Sequence, residues 1–235
     1  MAGFRRARSA IARDAAGRHL HGRRDFDQAR SDEPGFLKQV RDMGMFAQNG
    51  AGQADLFGAP LLPGLSWSDD FLTAREERAL IERIEETSLT PFRYQQWTGK
   101  RLTRSYGWSY DFETGTFAPT DPIPQWLLPV RARAARYAGL APEEIVQALL
   151  IRYDPGAGIG WHRDRPVFRH VIGISLGEPA AMRFRRKKGD RFERISAPLT
   201  PRAIYHLDGE ARNDWEHSIA EMEAARWSIT FRTLR

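Results

Sequence analysis

At 235 residues, 41% hydrophobic and 11% aromatic, the chain can hold one catalytic-sized domain with a full core plus a short appendage, which excludes a globally disordered protein. Lys and Arg outnumber Asp and Glu 36 to 30, and the formal net charge of +6 favours a polyanionic partner such as nucleic acid. The absence of cysteine excludes a disulfide framework, a thiol nucleophile and Cys-ligated zinc, and no apolar run approaches the ~18–20 residues of a membrane span, so a monomeric cytoplasmic protein is expected.

Residues 1–53 read as a basic, flexible extension. Its start, MAGFRRARSAIARDAAGRHLHGRRDFDQAR, lacks the apolar centre of a secretory signal, and Asp14, Asp25 and Asp27 argue against an organelle-targeting peptide. The extension either adds non-specific attraction for nucleic acid or is an upstream start without function, with Met43 or Met45 nearer the true beginning. The folded domain is then 54–235, entered through the Gly/Pro-punctuated stretch Gly50–Gly64.

Thr73-Ala74-Arg75-Glu76 has the spacing of a capping box, and Leu80, Ile81 and Ile84 follow at helical spacing, predicting an amphipathic helix over 74–86. A second helix is expected from about Pro124 to Ala138, with Trp126, Leu127, Val130, Ala134 and Tyr137 as its apolar stripe and Gly139 as its stop. Pro129 must kink that helix or move its start. From Ile145 onward short β-type runs take over, at 145–153, 169–176, 180–187, 191–197, 202–207, 215–219 and 225–233, with a hairpin tip at Gly189-Asp190. The pattern is mainly β with flanking helices, a sandwich or jelly roll whose helices pack outside one sheet.

Within the β-rich half, Gly160-Trp161-His162-Arg163-Asp164 is answered downstream by Trp215-Glu216-His217. On an extended segment residues i and i+2 point to the same side, so His162 and Asp164 can reach one ion, with His217 arriving from another strand. Two histidines and a carboxylate cover one face of an octahedral metal and leave open positions, which suits non-haem Fe(II) and O2 chemistry. The other histidines fit simpler roles: His19 and His21 as solvated groups, His170 and His206 as packed or surface imidazoles. In the last strand Arg226, Ser228, Thr230 and Arg232 share one face, and Trp227, Ile229 and Phe231 share the other. If the arginine face turns inward it needs a buried anion, and a dicarboxylate beside the metal would supply one.

These residues resemble the AlkB family of Fe(II)/2-oxoglutarate dioxygenases over roughly 54–235. Beyond the triad, the resemblance rests on Arg152-Tyr153-Asp154-Pro155-Gly156, Ile174-Ser175-Leu176-Gly177, Arg212-x-x-Trp215-x-His217-x-Ile219 and the terminal Arg226-x-Ser228-x-Thr230-x-Arg232. It implies a double-stranded β-helix, or jelly-roll, core. It implies Fe(II) on His162, Asp164 and His217, with 2-oxoglutarate and O2 as cosubstrates. Arg226 would pair with the distal carboxylate of 2-oxoglutarate, with Tyr153 hydrogen-bonded to it and Ser228 beside it. Arg232 would sit near the carboxylate and keto group that chelate the iron. The implied reaction is oxidative demethylation of alkylated nucleobases, releasing formaldehyde, succinate and CO2.

Three departures qualify that expectation. Ser228 and Ile151 stand where the family pattern has Asn, and both remove polar contacts to the cosubstrate. Arg165-Pro166-Val167-Phe168 follows the His-x-Asp pair where nucleic-acid repair members carry acidic residues. Some relatives acting on RNA or protein also lack that acid. The segment 92–112, FRYQQWTGKRLTRSYGWSYDF, resembles the family's lid over a flipped base, with Trp97, Lys100, Arg101, Arg104 and Tyr106 as substrate contacts; its simpler reading is a half-buried hairpin. Met182 to Lys188 is a second basic cluster, facing either a nucleic-acid backbone or water. Alternative readings are an oxygenase acting on protein or modified RNA, and a nucleic-acid-binding module with a vestigial site.

Overall fold

The computed structural model describes residues 61–94, 97–111 and 114–235; the basic extension and the lead-in through residue 60 lie outside the described residues. Thirteen strands are described: β1 (Leu65–Ser68), β2 (Thr90–Tyr94), β3 (Trp97–Tyr106), β4 (Trp108–Tyr110), β5 (Phe117–Pro119), β6 (Ile145–Tyr153), β7 (Ile159–His162), β8 (Phe168–Gly177), β9 (Ala180–Lys188), β10 (Arg191–Leu199), β11 (Ile204–Leu207), β12 (Glu216–Ile219) and β13 (Arg226–Leu234). Helices α1 (Ala74–Glu85), α2 (Leu128–Tyr137) and α3 (Gly209–Asn213) complete the set. A seven-stranded sheet runs β1-β11-β8-β13-β6-β3-β2, a four-stranded sheet runs β10-β9-β12-β7, and β4 and β5 form a separate ribbon. The two main sheets make the jelly-roll core that the residue pattern points to.

The α1 capping box forms as expected. Thr73 Oγ1 accepts from the Glu76 amide at 3.2 Å, and the Glu76 carboxylate accepts from the Thr73 amide at 2.7 Å. Leu80 and Ile84 are the buried positions of that helix. Pro129 does not kink α2; the helix begins beside it, after a short 3₁₀ turn at Gln125–Leu127. Proline is tolerated there because the first turn has no intrahelical partner for its missing N–H. β11 begins at Ile204, not 202, because Arg202 sits in a turn with φ 68°. The segment 92–112 enters the large sheet as β2 and β3, with β3 paired to β6, and then turns into β4. The short strands β1, β4 and β5 and the short helix α3 carry too few residues for a periodic signal.

Two cores result. On the outer face of the large sheet, Leu80, Ile84, Val130 and Ala134 of the helices pack on Leu150, Ile172, Ile174, Ile229 and Phe231, with Trp227 against them. Between the two sheets lies a second core around Ile151, Tyr153, Met182, Phe184, Tyr205 and Trp215. Strand β13 divides these cores by side-chain parity, sending its apolar residues out under the helices and its polar residues inward. Polar contacts key α1 to the sheet: Glu77 accepts from the Gly177 amide at 2.9 Å and pairs with Arg202 at 3.3 Å. Among the described residues no helix is long and apolar enough to cross a membrane.

Candidate active site

The three proposed metal ligands come together between the sheets. β7 and β12 are antiparallel neighbours and pair His162 directly with His217, their ring centroids 4.3 Å apart. Asp164 follows β7, and its carboxylate lies 3.5 Å from His217 Nε2. The ligand atoms of all three fall within 4.8 Å of one another. His162 Nδ1 lies 2.9 Å from the Gly160 carbonyl. A carbonyl only accepts, so Nδ1 carries the proton and Nε2 keeps a lone pair for an ion, the usual outer partner of a ligating imidazole. Burial lowers the His162 pKa, and burial followed by the neighbouring His162 pushes His217 down to about 3, so both rings stay neutral. Burial alone would raise the Asp164 carboxyl; the Arg232 guanidinium and other nearby charges more than offset it and hold Asp164 below the usual carboxylate range.

Arg232 joins this cluster to the sheet. It donates to Asp164 at 2.8–2.9 Å and to the Gln147 side chain at 3.0 Å, while Gln147 in turn donates to the Trp108 carbonyl at 2.8 Å. Arg226, on the same strand face, is 1% exposed. One of its nitrogens donates to Ser175 at 3.2 Å, and its guanidinium lies 5.1 Å from the Tyr153 ring centre. Its Nε and Nη1 are buried with no hydrogen-bond partner. A guanidinium with two orphaned donors in a dry interior is a strong demand for an anion. Ser228 lies between the two arginines on the inward face of β13, 3% exposed and in register with Ser175 and Ile151.

A sequence model of the 2OG-Fe(II) oxygenase superfamily matches residues 64–232. The chain belongs to that superfamily. It is similar to a Xenopus tropicalis protein named tRNA (carboxymethyluridine(34)-5-O)-methyltransferase alkbh8, 27% identical over 170 residues, a match that takes in 70% of this chain and 26% of that protein. It is also similar to an Arabidopsis thaliana protein named Alkylated DNA repair protein ALKBH8 homolog, 28% identical and covering 67% of this chain and 51% of that one. The chain thus spans between a quarter and a half of these two relatives' length. Among solved structures, that of OsALKBH1 shares the fold with a TM-score of 0.58 at 16% identity, covering 73% of this chain and 97% of that one. The protein is therefore an AlkB-like oxygenase, an Fe(II) enzyme that uses 2-oxoglutarate and O2. The donor set fits that iron, and the orphaned donors of Arg226 fit a dicarboxylate.

Around the oxygenase centre the lid-like residues separate. In the β3–β6 register Arg104 faces Leu150 and Tyr106 faces Ala148, on the helix-covered side, where Tyr106 packs in the outer core and Arg104 pairs with Asp121. Arg101 is 8% exposed and stacks on Phe92 at 3.8 Å, and its charge acts on His162. Lys100 Nζ lies 3.7 Å from Glu221. The Trp97 side chain lies outside the described residues. Beside Arg232, Phe168, Phe117 and Trp108 form a run of aromatic contacts: Arg232 lies 5.1 Å from the Phe168 ring centre, Phe117 meets Phe168 edge-on at 5.6 Å, and Trp108 stacks on Phe117 at 4.8 Å. His206 is half-buried, and burial followed by His170 pushes it down to about 4.

Tyr205 escapes a reading of the sequence, and Arg212, noted there only as part of a motif, gains its role from the structure. Tyr205, inside the same core, has its hydroxyl pushed up to about 12 by burial, so it stays a proton donor beside Arg226 and Tyr153. The signal was Gly173 within a buried strand: a Cβ there would overlap the Tyr205 ring. Arg212, 4% exposed, donates to the carbonyls of Arg165 and Phe168 at 2.6 and 2.9 Å and so ties down the loop that follows Asp164.

Proposed function

We propose that this oxygenase oxidises a modified or alkylated base of a nucleic acid, removing N-linked methyl groups, with RNA as the favoured carrier. The observation that carries the reading is the metal-ligand cluster lying beside an orphaned buried arginine, next to a wall of aromatic rings and guanidinium groups. In this reading His162, Asp164 and His217 hold the iron, and Arg226 takes the distal carboxylate of 2-oxoglutarate with Tyr153 and Ser228 beside it. Arg232 neutralises Asp164 and faces the chelating end. When bound, Fe(II) with 2-oxoglutarate and O2 would supply the two-electron oxidation of a substrate C–H bond, one oxygen atom entering the substrate and the other the succinate left when 2-oxoglutarate loses CO2. A hydroxylated N-methyl group then breaks its C–N bond to release formaldehyde; the bonding electron pair returns to the base nitrogen as its lone pair, and the hydroxyl proton is lost to solvent.

Nucleic acid as partner is supported by the net charge of +6 and by a face of arginines and rings on the four-stranded sheet, partly buried at Arg183 and at Arg185, which pairs with Glu216, and exposed at Phe192 and Arg194. There Arg183 and Arg185 lie over Trp161 at 5.4 and 4.5 Å, and Arg185 and Arg194 flank Phe192 at 4.6 and 5.5 Å. Stacking rings beside guanidinium groups suit unpaired bases and their phosphates. The tRNA activity in the name of the Xenopus tropicalis relative, and the absence of an acidic residue after Asp164, favour RNA. Arg101 and Lys100 are the lid residues that this reading assigns to substrate. The extension 1–53 is, in the same reading, a separate basic segment ahead of the catalytic domain.

The test supplies Fe(II), 2-oxoglutarate and O2 with single-stranded RNA or DNA carrying 1-methyladenine or 3-methylcytosine, and follows methyl loss with succinate by mass spectrometry. The expected result is methyl loss that needs all three additions, is faster on RNA, and vanishes in Asp164→Ala protein of unchanged circular dichroism. Succinate without methyl loss would keep the oxygenase and turn the search to other modified bases or to protein. Neither product from iron-loaded protein would overturn the reading.

A further inference from the structure

A second cluster of ligating side chains lies outside the oxygenase centre. His170 is on β8, His206 on β11, and Asp208 is the residue before α3. In the β8–β11 register His206 faces Ile172 and Leu207 faces Val171, so His206 and His170 are diagonal neighbours on one face of the large sheet. That face also carries Ile172, Ile174 and Ile204 of the outer core, whereas Arg232 and its partner Asp164 belong to the inner side. The two clusters are therefore separate.

The geometry is that of ligands around one ion. His170 Nδ1 and His206 Nε2 are 2.9 Å apart, an Asp208 carboxylate oxygen is 3.7 Å from His170 Nδ1, and the three ligand atoms all lie within 4.8 Å. Two nitrogens each about 2.0–2.1 Å from a tetrahedral dication stand about 3.3 Å apart, so the pair needs to open only slightly. Asp208 adds an independent sign. An aspartate at an N-cap ordinarily accepts from the first helical amides, yet this one makes no cap hydrogen bond and its carboxylate is turned toward His170. His206-Leu207-Asp208 also repeats the His-x-Asp spacing of His162-Arg163-Asp164. His170 is 8% exposed while the Asp208 side chain is 48% exposed, which leaves one side for entry and for water ligands. The His170 position is fixed from below, because its amide donates to the buried Thr233 hydroxyl at 3.1 Å.

We propose that His170, His206 and Asp208 form a second metal site that takes a transition-metal dication of the zinc class. Two imidazole nitrogens and one carboxylate oxygen suit such ions better than Mg2+ or Ca2+, which prefer all-oxygen shells. The ion ties β8 and β11 to the start of α3. That helix carries Arg212, which holds the loop after Asp164, and leads into the strand of His217. Its role is to brace the two chain segments that carry the oxygenase ligands, and it stands without any assumption about substrate.

The test uses the full chain, stripped of metal with a chelator, dialysed against buffered Zn2+ and read by elemental analysis and thermal unfolding. The wild type should hold two equivalents, His217→Ala one, His206→Ala one, and the double variant none. Zn2+ should raise the Tm of the His217→Ala protein and not that of the double variant. One equivalent in the wild type, lost in His217→Ala and kept in His206→Ala, overturns the second site while leaving the first; the converse pattern keeps the second and removes the first. Should His206→Ala fail to fold, the exposed Asp208→Ala variant decides: it should weaken Zn2+ binding at least tenfold, and unchanged affinity overturns the proposal.

Discussion

Arg226 shows how much chemistry one buried side chain can declare. A guanidinium that is 1% exposed and has a single hydrogen-bond partner costs stability unless an anion completes it. A charge-assisted contact of this kind is worth about 1.5–3 kcal/mol, or roughly 10–100-fold in an equilibrium constant. Arg226→Met keeps the side-chain length and removes the donors. It should raise the KM for 2-oxoglutarate by about that factor with kcat little changed, because the contact is made equally in the ground state and the transition state. Steady-state kinetics at saturating iron reads both constants, and an unchanged KM would take Arg226 out of the cosubstrate site. Arg232 differs in kind: Asp164 and Gln147 already occupy it, so it positions the carboxylate proposed to hold the metal.

At the level of elements, the close contact between β8 and β11 shapes the pocket. Gly173 pairs with Tyr205 across these strands, and the Tyr205 ring covers the space a Cβ would need. Gly173→Ala should therefore push the ring off the sheet, costing about 1–3 kcal/mol as overpacking does and weakening 2-oxoglutarate binding through the displaced phenol. Combining it with Tyr205→Ala should cost less stability than the two single losses summed and recover none of the affinity, a non-additivity that urea unfolding of the four proteins measures. Additive losses would mean that ring and glycine are not in conflict. The same strands show why parity matters: β13 places Ile229 and Phe231 under the helices and Arg226 and Ser228 in the pocket because alternate residues face opposite sides. The split into two faces was readable from the alternation of residues 226–232; that the arginine face turns inward was decided by the packing of β13 between the two cores.

For the whole molecule the governing feature is the distribution of positive charge. Arg183 and Arg185 bind Ser218, Glu216 and Trp161, next to the His217 and His162 positions, whereas the side chain of the exposed Arg194 on β10 meets Phe192, so it should bear on nucleic-acid affinity without touching cosubstrate turnover. Binding of a single-stranded RNA should weaken steeply with salt, with log K falling by about 0.7 per phosphate contact for each unit of log salt. Arg194→Glu should lower both the affinity and that slope while leaving uncoupled 2-oxoglutarate decarboxylation unchanged. Fluorescence anisotropy across a salt series tests this, and an unaltered slope would move the nucleic-acid interface elsewhere.

What the sequence by itself determined is whatever depends on local spacing. The capping box of α1, the strands from Ile145 onward except β7, the His162-x-Asp164 pair and the two faces of β13 follow from periods of 3.6 and 2 and from residue chemistry, while His217 joins that pair only through the β7–β12 register. The edge strands β1, β4 and β5 were too short to register. Only tertiary structure decided which side of a sheet each lid residue takes: Arg101 turns toward the centre while Arg104 and Tyr106 face the helices, because pairing with β6 sets their parity. Only tertiary structure, too, brought Tyr205 onto Gly173, Arg212 onto the loop after Asp164, and His170 beside His206. These partners lie 32, 47 and 36 residues apart in the chain. No sequence period links positions so distant; their contact is fixed by strand register, which is set by burying the whole sheet at once.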